Sequence, residues 1–176
     1  MDVVEYWNNP RYSTRRLARQ GTTSVVATVV FQDGAAAASY ATCRALHAVV
    51  GREGQGAVVR GIHAEGPCVR TLGGLPDAST LASGRVADFA RLLDACGPSL
   101  RVMTISPTLA FDADGASRLR ALQARGIRVA LGHDKECTED DILRALRDTP
   151  PGAGAGAAAA SAARMHLTHG LSLIHI

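Results

Sequence analysis

The stretch that decides the fold is Ala57-Val-Val-Arg-Gly-Ile-His-Ala-Glu65, an apolar run that predicts a buried strand. Two later runs have the same form, Ile127-Arg-Val-Ala-Leu-Gly-His133 and Met165-His-Leu-Thr-His169. Each of the three runs ends in a residue type, Glu or His, that commonly serves as a metal ligand. In a parallel barrel the carboxyl ends of the strands meet at one face, where active sites form. A carboxylate and two imidazoles at that face predict a site for a divalent metal, with zinc as the first choice.

Apolar runs and helical patterns alternate along the rest of the chain. Further strands are predicted at residues 24–31 and 100–105, and helices at 35–50, 85–95, 116–125 and after Thr138. Strands separated by helix-length segments predict βαβ units and a parallel sheet. About five strands are visible, whereas a complete (β/α)8 barrel has eight in ~250 residues. The predicted fold class is therefore α/β, a partial TIM-type barrel with about five of its eight strands.

Composition is typical of a soluble globular domain. The chain has 176 residues, 47% of them hydrophobic, and a formal net charge of +3 that is spread along the sequence. The densest basic group, Arg15, Arg16 and Arg19, is interpreted as the solvated face of a helix, so no nucleic-acid partner is expected. No apolar run reaches the ~18 residues of a membrane span. No secretory signal precedes the domain, which favours a cytoplasmic location.

The four cysteines, at positions 43, 68, 96 and 137, are widely separated and form no CxxC pair. In a cytoplasmic protein they are interpreted as reduced thiols, with disulfides as the alternative. Cys68 follows Glu65 by three positions and could border the site, although a small buried side chain is its ordinary role.

The sequence divides into three segments of different character. Residues 1–170 are interpreted as one partial barrel domain. Within it, residues 150–160 are a low-complexity glycine and alanine insertion, which predicts a flexible surface connection without chemistry. The tail Leu171-Ser-Leu-Ile-His-Ile176 corresponds to the translated end of a common transposase sequencing adapter, so we exclude it from the fold and from the ligand set.

Five motifs in order resemble one known family. Gly61-Ile-His-Ala-Glu-Gly-Pro67 resembles the strand motif of the N-acetylglucosamine-6-phosphate deacetylases, members of the amidohydrolase superfamily. The others are Gly21-Thr-Thr-Ser-Val-Val-Ala-Thr28, Thr104-Ile-Ser-Pro107 (Thr-Leu-Ala-Pro in the family), Gly126-Ile-Arg-Val-Ala-Leu-Gly-His133 and Leu167-Thr-His169. The resemblance covers residues 21–169 and implies an internal fragment of a metal-dependent amidohydrolase barrel that lacks both ends.

The resemblance implies a function and a set of roles. Glu65, His133 and His169 would be metal ligands, and the reaction would be hydrolysis of the N-acetyl amide of a small amino-sugar phosphate. The family's acid/base aspartate lies on a later strand, beyond the end of this chain. No catalytic residue is therefore expected within it, and the chain as given is expected to be inactive. A homo-oligomeric parent stays open.

Departures from the family pattern keep two alternatives open. A substrate-binding Gly-Ala-His is missing, since residues 71–77 contain no histidine, and Asp134 follows Gly-His where the family has serine or threonine. An amidohydrolase acting on a different N-acyl substrate, or a non-catalytic binding protein on the same barrel, are the alternatives. His63 shares a strand face with Glu65. It and Asp134 are interpreted as residues that support a ligand or line the pocket, with ligation by His63 as the less favoured option.

Overall fold

The computed structural model describes residues 6–31, 36–54, 56–70, 89–90, 93–94, 96–111, 115–148 and 166–167. The strands are β1 (Ser24–Val30), β2 (Val58–Glu65), β3 (Leu100–Ile105), β4 (Arg128–Leu131) and β5 (His166–Leu167). The helices are α1 (Pro10–Arg19), α2 (Ala36–His47), α3 (Arg118–Gln123) and α4 (Glu139–Asp148), and a 3₁₀ turn covers Pro107–Leu109.

The five strands form one parallel sheet in chain order. Each strand pairs in parallel with the next one along the chain. This confirms the predicted α/β class and the βαβ succession. A doubly wound sheet would reverse its order part-way, whereas a barrel needs the simple succession seen here. Closure into a barrel is not tested by the described residues and stays a prediction.

The boundaries of most elements agree with the sequence pattern to within a few residues. The helix predicted at 35–50 is Ala36–His47, and the one predicted at 116–125 is Arg118–Gln123. The described residues of the 85–95 pattern are helical. Thr138 caps α4, the helix predicted after it: the Thr138 hydroxyl accepts the backbone N–H of Asp141, and the Asp141 carboxylate accepts the backbone N–H of Thr138. This reciprocal arrangement is a capping box.

The first helix, α1, has a solvated basic side. Asn9 caps it by accepting the backbone N–H of Tyr12, and Pro10 occupies its first turn. The arginines at positions 15, 16 and 19 are exposed, which confirms that they lie on a solvated helix face. None of the described helices has the length and apolar character needed to cross a bilayer.

One face of the sheet is the hydrophobic core. The strand register joins alternate buried residues into a continuous band, namely Ala27, Val29, Ile62, Ala64, Met103, Ile105, Val129 and Leu131. Burial of a large apolar side chain contributes about 1.5–3 kcal/mol, so this band holds the sheet against α2 and α3. The opposite face has the polar residues: Thr28 is opposite His63, and Glu65 is opposite Thr104. Because side chains alternate along each strand, burial of one face in the core places these polar side chains on the other face.

Several predictions lie outside the described residues. His169, the insertion at 150–160 and the tail at 171–176 are among them. Of the run 165–169, the structure describes the backbone of His166–Leu167 as strand β5.

Candidate metal centre

Glu65 is the last residue of β2. Strand alternation places it on the polar face, two positions after His63. Its neighbours in register are Val30 on one side and Thr104 on the other. The side chain is 15% exposed, so the carboxylate lies in a largely enclosed position at the carboxyl edge of the sheet.

His133 lies two residues beyond β4, which ends at Leu131. Its backbone has a φ of +57°, the left-handed region that costs a residue with a Cβ atom roughly 1–2 kcal/mol. The imidazole Nε2 lies 2.7 Å from Oε1 of Glu65. The side chain of His133 is 11% exposed. The structure therefore brings together two of the three predicted ligands from positions 68 residues apart.

Both the types of these two donor atoms and the distance between them are compatible with a shared metal ion. Zinc bonds of ~2.0–2.2 Å place neighbouring ligand atoms about 3–3.5 Å apart, a separation that small rotamer changes reach from 2.7 Å. Carboxylate oxygen and imidazole nitrogen are both ordinary zinc donors. The third predicted donor, His169, lies outside the described residues. Within the described part of the chain, no three potential ligands form a cluster.

His63 contacts neighbouring strands through both ring nitrogens. Nδ1 lies 3.1 Å from the Thr28 hydroxyl and Nε2 lies 2.8 Å from the Thr104 hydroxyl. A hydroxyl can donate or accept, so either neutral tautomer satisfies both contacts. Burial lowers the pKa of His63, although the Glu65 carboxylate opposes the shift. These contacts favour a pocket wall over ligation for His63.

Asp134 is 1% exposed, and its carboxylate accepts three hydrogen bonds from neighbouring residues. Oδ2 accepts the backbone N–H of Thr108 at 2.9 Å and the Thr108 hydroxyl at 2.5 Å. Oδ1 accepts the backbone N–H of Glu136 at 3.2 Å. Asp134 therefore supports the loop that carries His133, and its place as a ligand support remains a prediction.

Sequence reasoning missed Ser106. This serine lies in the motif Thr104-Ile-Ser-Pro107, which by itself predicts no role for it. It is fully buried, and its hydroxyl contacts the loops that follow both β2 and β4. A serine beside a strand-ending proline is a weak signal by itself, because its partners are remote in the sequence.

The cysteine side chains and His47 lie outside the candidate metal centre. All four cysteines are free thiols, and Cys68 is buried with its pKa raised to about 11 by burial. It lies next to the site segment, since its carbonyl accepts the backbone N–H of Ser106. His47 contacts the Ser99 hydroxyl through Nδ1 at 2.5 Å. Neither Cys68 nor His47 contributes to the candidate site in the described geometry.

Three similar solved structures are N-acetylglucosamine-6-phosphate deacetylases. A mutant N-acetyl-D-glucosamine-6-phosphate deacetylase from Mycobacterium smegmatis, in complex with N-acetyl-D-glucosamine 6-phosphate, has 23% identity and a TM-score of 0.61 over 82% of this chain. The same enzyme in another crystal structure has 21% identity and a TM-score of 0.60 over 82% of this chain. The Pasteurella multocida N-acetylglucosamine-6-phosphate deacetylase has 17% identity and a TM-score of 0.55, also over 82%.

These matches show the fold. The chain spans 36%, 36% and 35% of the three chains, so it corresponds to about a third of each. No protein-family model matches the sequence, and no curated protein matches it. This chain folds like a segment of a deacetylase.

Proposed function

We propose that the chain is part of a metal-dependent amidohydrolase that removes the acetyl group from N-acetylglucosamine 6-phosphate. The observation that carries the proposal is the 2.7 Å contact between Glu65 and His133 at the carboxyl edge of a parallel sheet. The sheet is of the kind found in solved deacetylases. In this proposal the sheet is five strands of an eight-stranded barrel, and the ligand set is Glu65, His133 and His169.

The metal we propose is zinc. When bound, such an ion lowers the pKa of a coordinated water and polarises an amide carbonyl. Glu65 and His133 would hold it, since their donor atoms already converge in a position 11–15% exposed. His63, held between Thr28 and Thr104, would form the adjoining wall. Proton transfer to the leaving amine is assigned to the aspartate that the family resemblance places on a later strand.

A second candidate keeps the chemistry and changes the substrate. The sequence between positions 63 and 133 contains no histidine, so the Gly-Ala-His that contacts the sugar phosphate in the resembling family is missing. The missing motif supports, as the second candidate, an amidohydrolase that acts on a different N-acyl compound. Acetate release distinguishes the two substrates when it is measured with the longer protein that we propose contains this chain. The compounds to compare are N-acetylglucosamine 6-phosphate, N-acetylglucosamine and an N-acetyl amino acid.

The metal assignment is tested by zinc binding. In the purified protein, we expect Glu65→Gln to weaken zinc affinity at least tenfold, because the amide is a poorer ligand than a carboxylate. Glu136→Gln is the matched control, since that carboxylate is 67% exposed and is paired with Arg70 at the surface. Affinity is measured by competition with a chromophoric chelator. Equal affinities for both variants and the wild type, or no zinc binding by the wild type, would contradict the assignment.

A further inference from the structure

The segment that follows β3, Ser106 to Thr108, supplies no predicted ligand yet contacts both loops of the site. The Ser106 backbone N–H donates to the Cys68 carbonyl at 2.8 Å. The Ser106 hydroxyl accepts the backbone N–H of Arg70 at 2.8 Å. Two contacts therefore tie this segment to the loop that follows Glu65.

The same hydroxyl reaches the loop that follows β4. It donates to the His133 carbonyl at 2.8 Å, and the Gly132 carbonyl lies 3.2 Å away. One serine, fully buried, therefore joins the backbones on either side of the candidate centre. Because the residue is shielded from water, water cannot readily replace these hydrogen bonds.

Thr108 holds the next residue of that loop. Its backbone N–H and its hydroxyl both donate to Oδ2 of Asp134. His133 is thus held through its main-chain carbonyl, and Asp134 through its side chain, by residues two positions apart on one segment. We name Ser106, Thr108 and Asp134 the β3–β4 clamp.

The clamp acts on the residue whose backbone most needs support. His133 has a φ of +57°, a left-handed conformation that is less favourable for a residue with a Cβ atom than the helical or extended regions. Relaxation of this backbone would swing the imidazole away from Oε1 of Glu65, now 2.7 Å from Nε2. Within the clamp, the Ser106 hydroxyl contacts the carbonyl groups on either side of the His133 Cα atom, those of Gly132 and of His133 itself.

We propose that the β3–β4 clamp is a set of positioning residues that fixes the His133 imidazole for metal binding. The inference rests on the proposed function, because it presumes that Glu65 and His133 are ligands. Ser106 and Thr108 contribute no donor to the metal. They set the distance and direction between the two donors that do.

The test compares two serines at the two ends of β3. Ser106→Ala removes the clamp hydroxyl, and Ser99→Ala, the control, removes another buried hydroxyl that contacts His47. We expect Ser106→Ala to weaken zinc affinity about 10- to 100-fold, the usual effect of losing a group that orients a ligand. We expect Ser99→Ala to bind zinc as the wild type does. Cobalt(II) replaces zinc in a parallel titration, and its visible absorption spectrum should change for Ser106→Ala only, because the spectrum reports ligand geometry.

A second pair of variants covers the case in which Ser106→Ala does not fold. Thr108→Val removes one donor to Asp134 and keeps the volume, whereas Thr108→Ser keeps the hydroxyl. We expect weaker zinc binding for valine and nearly wild-type binding for serine. If the wild type binds zinc and the Ser106 and Thr108 variants match Ser99→Ala in affinity and cobalt spectrum, the clamp is wrong while the metal centre stands. If the wild type binds no zinc, both proposals are wrong.

Discussion

Replacement of Asp134 by alanine should destabilise the protein strongly even without metal. The carboxylate is 1% exposed and accepts two hydrogen bonds from Thr108, at 2.9 and 2.5 Å. A hydrogen bond to a charged group contributes about 1.5–3 kcal/mol. The third bond, from the backbone N–H of Glu136 at 3.2 Å, is the longest of the three and is left out of the sum. Since a buried charge is also removed, the expected net loss is about 2–4 kcal/mol.

The assay is urea unfolding followed by far-ultraviolet circular dichroism. With a urea slope of about 2 kcal/mol/M, the middle of the range for small proteins, the unfolding midpoint should fall by about 1–2 M. Asp134→Asn keeps the shape and one acceptor oxygen, so the loss of unfolding free energy should be about half as large as for Asp134→Ala. The control is Asp140→Ala, an exposed carboxylate in the first turn of α4, worth about 0.3–1 kcal/mol. If Asp134→Ala and Asp140→Ala differ by less than about 0.5 kcal/mol, the reasoning from buried hydrogen bonds is wrong.

Three further predictions use other parts of the chain. Iodoacetamide at pH 8 should label Cys137 long before Cys68, because Cys137 is partly exposed whereas burial raises the pKa of Cys68 to about 11. Peptide mass spectrometry measures the two labelling rates, and equal rates would contradict this prediction. Hydrogen bonds from the capping threonine lower the pKa of Asp141, so its stabilisation is complete above about pH 4 and is lost as the pH falls through the lowered pKa. Asp141→Asn should remove that part of the acid dependence of urea unfolding, and an unchanged dependence would refute the assignment. Gly126→Ala, with φ at +67° and no atom near the new Cβ, should cost about 1 kcal/mol. Gly56→Ala should cost more than twice as much, because the new Cβ would lie 2.5 Å from a backbone carbon of α1; thermal unfolding with equal losses at both positions would overturn this comparison.

The sequence by itself determined the elements and the edge at which the candidate site lies. Apolar runs of strand length between helical patterns are local signals, and a parallel sheet of successive strands is the arrangement that joins them. From that arrangement it follows that Glu65 and His133, each at or just beyond the carboxyl end of a strand, meet at one edge. The 2.7 Å contact between them confirms that part. His169 lies outside the described residues, so its place in the set is still predicted from sequence.

Only the tertiary structure decided how that edge is held. The contacts of Ser106 with His133, of Thr108 with Asp134 and of Thr104 with His63 join residues 26 to 41 positions apart. No local pattern encodes them, because each depends on the register of neighbouring strands. In the sequence, Ser106 lies in a motif that resembles the family and Asp134 is a departure from it, with nothing to connect the two. In the fold, the segment of Ser106 and Thr108 contacts the loop of His133 and Asp134. The left-handed backbone of His133 was also invisible in the sequence, because histidine takes other conformations more often and the hydrogen bonds that hold this loop are tertiary.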